Sequence, residues 1–172
     1  VWVCEHGSTP VGEEPIEWML LTNYPVLDFT DAKLVIRGYT ERWRIEQFHR
    51  TWKSGACKVE DTQLGDRDHI VTWVSVLASV AMRILRMTYF ARHRPDEPAE
   101  VELTRNEIDA AILVSETKKF RRGAKLTIAQ AVQLIAQCGG YVGKSSGGPP
   151  GALVIARGLS HIQTVAKLLE KM

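Results

Sequence analysis

The chain has 172 residues, 45% hydrophobic and 24% charged, an ordinary balance for a globular protein long enough to bury a core. Its 22 basic and 20 acidic residues leave a net charge of +2, so no global field points to nucleic acid and any basic binding surface must be local. Three cysteines, Cys4, Cys57 and Cys138, are far apart and in no CxxC spacing, which argues for reduced thiols in a cytoplasmic protein and against zinc.

Two strand-like segments come first, residues 1–6 and 17–22, separated by GSTPVGEEP, whose glycine and proline content suits a turn. They read as a strand pair at the edge of a larger sheet. The opening VWVCEH alternates like a strand and has neither an initiator methionine nor a basic leader, so the chain is expected to be the later part of a longer protein. Asp28 or Thr30 can cap a helix over 31–54 that stops at Gly55. A polar connector, ACKVEDTQLGD, leads to a second long helix over 67–93. Its longest apolar run, IVTWVSVLASVAM, is about 13 residues, too short for a bilayer core of about 30 Å, and the helix is expected to be the central core element.

After Pro98 the units are shorter and amphipathic: 104–114, the basic loop KKFRRGAK, then 127–137. A glycine-rich CGGYVGKSSGGPPG precedes a last helix over 152–171. On that helix Leu153, Ala156, Leu159, Ile162, Val165 and Leu169 recur at spacings of three or four, a stripe that can dock on its own domain or on a second subunit. Five helices and two strands make the chain mostly helical, with a strand pair belonging to a sheet completed upstream.

GYVGKSS is not a phosphate-binding P-loop, because Cys138 stands where the first glycine is needed and the segment follows a helix instead of a strand. The basic loop with Lys118, Lys119, Arg121, Arg122 and Lys125 can touch phosphates or simply be solvated; its sequence leaves both open. His69, His93 and His161 have no partners at ligand spacing and are expected to be structural. The stretch YTERWRIEQFHRTWKSG is different. On one helix Tyr39, Arg42, Glu46, Arg50 and Lys53 fall within an arc of about 80°, while Leu34, Ile45, Phe48 and Trp52 form a separate apolar stripe for packing. Periodicity alone favours an ordinary surface ion pair between Arg42 and Glu46.

The spacing adds a second reading. Tyr39, two residues, Arg42, three residues, Glu46, six residues and Lys53 resemble the signature of bacterial DDE transposases of the insertion-sequence-four group, in particular the transposon-five type. The flanks EPIEWMLLT, RWRIEQFH and WKSG are similar to those enzymes as well, most strongly over residues 13–55. The resemblance implies an RNase H-like α/β parent fold, of which residues 1–97 are the end of the catalytic domain and 98–172 a helical C-terminal region that pairs two copies. It implies metal-dependent cleavage, hairpin formation and strand transfer at transposon ends in a bacterial, nucleoid-associated setting. Glu46 matches the helix-borne metal ligand that joins two strand-borne aspartates around two Mg²⁺ or Mn²⁺ ions; Asp28, Asp31 and Asp61 are not on strands and do not supply those partners. Tyr39, Arg42 and Lys53 match phosphate-contacting positions, Trp18 the base-stacking tryptophan, and Trp43 a weaker base-displacing position. The chain alone is expected to be inactive. The alternative from another class is a non-catalytic helical module that binds DNA or dimerises.

Overall fold

A computed structural model of the chain describes residues 1–7, 9–143 and 148–171. Ser8 of the GSTPVGEEP turn and Lys144 to Ser146 of the GYVGKSS segment lie outside the described residues. The chain is mostly helical, with one two-stranded antiparallel sheet, and it divides into two compact units, Val1–Gln47 and Phe48–Met172.

In the first unit β1 (Trp2–Cys4) pairs with β2 (Glu17–Met19) in the register Trp2 to Met19, Val3 to Trp18 and Cys4 to Glu17. The strands are shorter than the sequence suggests. Helix α1 (Phe29–Thr40) starts at Asp28, whose carboxylate accepts from the Thr30 and Asp31 amides and so satisfies two otherwise unpaired donors. α1 buries no residue. The long helix expected over 31–54 is two helices, because α1 ends at Thr40 and α2 (Trp43–Lys53) begins after two intervening residues. Between them the amides of Arg42, Arg44 and Ile45 bond three residues back, to Tyr39, Glu41 and Arg42, so one turn tightens where the α-helical ladder would need a step of four. Leu20 is the only described residue of this unit that is buried among its apolar side chains.

The second unit holds the core. α3 (Arg67–His93), α4 (Arg105–Val114), α5 (Ile128–Cys138) and α6 (Ala152–Leu169) pack around Ile84, Met87, Ile108, Ile135, Ile155 and Ile162. Both α4 and α5 begin with a capping box, Thr104 with Glu107 and Thr127 with Gln130, each hydroxyl and side chain closing on the other's amide. α3 shares this core with α4 to α6 through Ile84 and Met87.

One expectation about the helices needs correction. α3 is not central throughout: it buries Ala81, Ile84 and Met87, while Val71, Trp73, Val76 and Val80 in its first half are exposed. Counting the whole helix and not only its apolar run, α3 is long and apolar enough to cross a membrane by length and composition. On α6 the residues Ile155, Gly158, Ile162 and Ala166 are buried, and of the stripe read in the sequence Ile162 is in the core while Ala156, Leu159, Val165 and Leu169 pack partly buried against it; Leu153 is exposed. The approach of α6 to α5 is close. A Cβ on Gly158 would lie 1.7 Å from the Ile135 carbonyl oxygen, and one on Gly139 would lie 1.9 Å from that of Val154, so α5 and α6 meet backbone to backbone at these glycines.

Candidate nucleic-acid interface

The first unit brings five of the six singled-out residues into one run of contacts. β2 carries Trp18 and the last turn of α1 carries Tyr39; their rings meet edge to face, with centroids 5.1 Å apart. The tightened turn then swings Arg42 back, so that its guanidinium carbon lies 5.8 Å from the centre of the Tyr39 ring and 6.0 Å from that of Trp43. Arg42 Nη1 is 2.8 Å from Glu46 Oε1, one turn further along α2. The order is therefore indole, phenol, guanidinium, carboxylate.

Trp18 is half-buried, whereas Tyr39, Arg42 and Trp43 are exposed. An arginine held on one side by a carboxylate and flanked by two rings keeps donors for a second oxygen anion, and its planar fork suits a phosphate. Tyr39 also borders an open, largely apolar cleft of about 580 Å³ lined by Leu20, Leu21, Leu34 and Val35. Such a ring edge next to a cleft can accept a flat apolar group.

Lys53 lies past the unit boundary. In the second unit its Nζ is 4.0 Å from Glu60 Oε1 on the short 3-10 turn Val59–Asp61, a neighbour the motif spacing did not anticipate. Nor does the expected apolar stripe pack as one surface. Leu34 and Ile45 are exposed, while Phe48 stacks on Trp52, whose indole N–H donates to the Val74 carbonyl at 3.2 Å. A second ion pair, Arg44 with Glu41, spans the tightened turn; its spacing of three was readable in the sequence.

Glu46 supplies one hard oxygen donor. Among the described residues no group of three His, Cys, Asp or Glu side chains stands together. Asp28 is occupied as a helix cap, and Asp31 accepts from the Leu27 amide. No protein-family model matches the chain.

The remaining polar candidates have local roles. His69 Nδ1 is 2.9 Å from the capping carboxylate of Asp66, His161 Nδ1 is 2.7 Å from the Cys138 carbonyl oxygen, and His93 lies against Tyr89. Cys4 is a free, exposed thiol. Burial pushes the Cys57 thiol up, and it also pushes up that of Cys138 against a smaller opposing backbone hydrogen bond. Sequence reading missed Asp109, a carboxylate in the middle of the apolar run IDAAIL and only 7% exposed.

Proposed function

We propose that the chain is the C-terminal part of a cut-and-paste DNA transposase of the DDE class, with residues 1–97 closing an RNase H-like catalytic domain. The observation that carries this reading is the contact run Trp18, Tyr39, Arg42, Glu46, built on the motif spacing and placing a stacking ring, a phosphate donor and a carboxylate in sequence. Tyr39 and Arg42, with Lys53, grip the DNA backbone beside the cut, and Trp18 receives a base turned out of the stack. Trp43, beside Arg42, helps displace that base. Glu46 serves as one metal ligand, and the carboxylates that complete the Mg²⁺ or Mn²⁺ site come from outside these 172 residues. Alone, the 172 residues cut nothing.

The test is Glu46→Gln in a chain restored to full length. Strand cleavage should disappear, while binding to transposon ends holds or tightens slightly because a negative charge near phosphates is gone. Metal-dependent nicking by this variant at the unmodified rate would sink the assignment.

One observation favours the second reading, a non-catalytic DNA-binding or dimerising module. The Arg42 to Glu46 pair has the i, i+4 spacing and half-exposed setting of an ordinary surface ion pair. In that case Glu46→Gln changes affinity and nothing else. Under either reading, pairing of two copies through the last helix falls to its outer residues, Leu153 and Leu168, since the inner face is already covered. Sedimentation at tens of micromolar should show a dimer that Leu153→Glu with Leu168→Glu disperses; a monomer before substitution refutes the pairing.

A further inference from the structure

The basic segment after α4 is built as a rigid display. Glu116 takes a left-handed backbone, φ 51°, and the Thr117 hydroxyl accepts from the Lys119 amide at 3.2 Å. Phe120 turns inward and packs against the core. Then Arg121 to Ala124 form a turn, closed by the Ala124 amide on the Arg121 carbonyl at 3.0 Å, with Gly123 at φ +89°, where a side chain would be strained.

That turn is pinned by Asp109. Its Oδ1 accepts from the Gly123 amide at 2.9 Å and from Arg105 Nη2 at 2.8 Å, and Arg105 Nη2 also donates to the Ala124 carbonyl at 2.9 Å. Arg122 Nε lies 3.8 Å from Asp109 Oδ2. Leu126, just beyond, is buried, and its carbonyl accepts from the Ala99 amide. Both ends of the loop are therefore fixed while its cations point outward. Among the described residues no carboxylate pairs with Lys118, Lys119, Arg121 or Lys125, and all four are exposed.

Residues 116–125 carry five cations and one carboxylate in a chain whose total is only +2, so the rest of the molecule is net negative. A fixed cationic patch on a slightly acidic background binds anions locally and does not attract them generally. We propose that this loop is a second DNA contact, a sequence-independent grip on backbone phosphates that shares no residue with the Tyr39 to Lys53 motif. Pre-organisation favours it, since the loop's backbone needs no ordering on binding. The inward Phe120 argues against a membrane surface, because it leaves the loop without an apolar ring to insert. The choice of DNA among soluble polyanions rests on the function proposed above; the patch does not.

The test uses the 172-residue chain and a fluorescein-labelled mixed-sequence 30-base-pair duplex, with affinity followed from 50 to 200 mM salt. Each phosphate contact contributes a slope of about −0.9 in log affinity against log salt, so four contacts account for about a 100-fold loss over that range. Lys118→Gln, Lys119→Gln, Arg121→Gln and Lys125→Gln together should make the slope shallower by about 3 to 4 and weaken binding at least 10-fold at 50 mM salt. Exchanging the same four positions between lysine and arginine should leave both within 3-fold. An unchanged slope in the glutamine variant, no binding by the unmodified chain, or tighter binding to phosphatidylserine vesicles than to the duplex each overturns the proposal. A parallel variant with Tyr39→Phe, Arg42→Gln and Lys53→Gln should retain the loop's share of the slope. Failure of the loop and failure of the cleavage reading are thus scored on different residues.

Discussion

The two units differ in how much they bury. Phe48–Met172 buries an aliphatic core under four helices and ties it with ion pairs such as Arg83 with Glu107, whereas Val1–Gln47 buries little beyond Leu20 and leaves Met19, Leu21, Leu27, Phe29 and Leu34 exposed. Yet the run from Trp18 to Glu46 lies in the sparsely packed unit. Its residues are held by ring contacts and one surface ion pair, so they can be changed with little loss of folding free energy, while at Gly158 or Gly139 in the second unit a single added carbon meets a backbone oxygen.

Four substitutions break or sharpen that contrast. The largest effect belongs to Gly158→Ala, which must push α6 away from the Ile135 carbonyl; a loss of about 3 kcal/mol or more, despite the helix preference of alanine, should appear in urea unfolding. A variant as stable as the original would mean that the α5 to α6 contact is not close.

Next is Glu107→Gln. Burial pushes the Glu107 carboxyl up, but hydrogen bonds and attraction from Arg83, with the Thr104 amide and hydroxyl, outweigh it and hold the group below its usual 4.5. A depressed folded pKa means stability that is present above the unfolded value and lost as pH falls through the folded one. The variant should be less stable by about 1.5 to 3 kcal/mol at pH 7, and the gap should close below about pH 4.5. A gap that persists unchanged at pH 3 would remove the ion pair from the account.

Trp18→Ala comes third. A half-buried ring against Tyr39 should cost less than the roughly 3 to 5 kcal/mol of a core aromatic. Under the proposed function, the first nick by a chain restored to full length should survive, while hairpin formation falls about 10-fold to 100-fold, the rate equivalent of about 1 to 3 kcal/mol of base stacking. Equal loss of both steps in a destabilised protein returns Trp18 to a structural role. Smallest is Glu46→Gln on melting: removing an exposed partner of Arg42 should shift stability by no more than about 0.5 kcal/mol. A large drop would show that the first unit depends on this pair.

Much of the second unit was legible because local chemistry and packing agree there. Thr104 with Glu107, Thr127 with Gln130 and the stop at His93 before RPDEP marked their helices within a residue or two. The break after Thr40 was not, since Thr-Glu-Arg-Trp contains no glycine or proline and the turn tightens without a sequence mark. α3 misled for a different reason: apolar on nearly every side, it does not announce which side is covered. At the candidate site the motif spacing groups Tyr39, Arg42 and Glu46, whose contacts are one turn apart. It was silent on Glu60 beside Lys53, which comes from a separate turn. Asp109 and Gly158 did carry signals, a carboxylate inside IDAAIL and a glycine inside a helix, each best explained by a close partner.

The position of α6 bears on how the chain is made. Because translation is vectorial, α3, α4 and α5 leave the ribosome before the helix that covers them, and Ile135 meets no Gly158 until α6 (Ala152–Leu169) has been added. Until then the nascent chain presents an open aliphatic trough. Completion of the second unit thus waits for α6, and a stop codon before Gly151 would release a chain with that trough uncovered, a substrate for chaperones and proteases rather than a shortened folded protein.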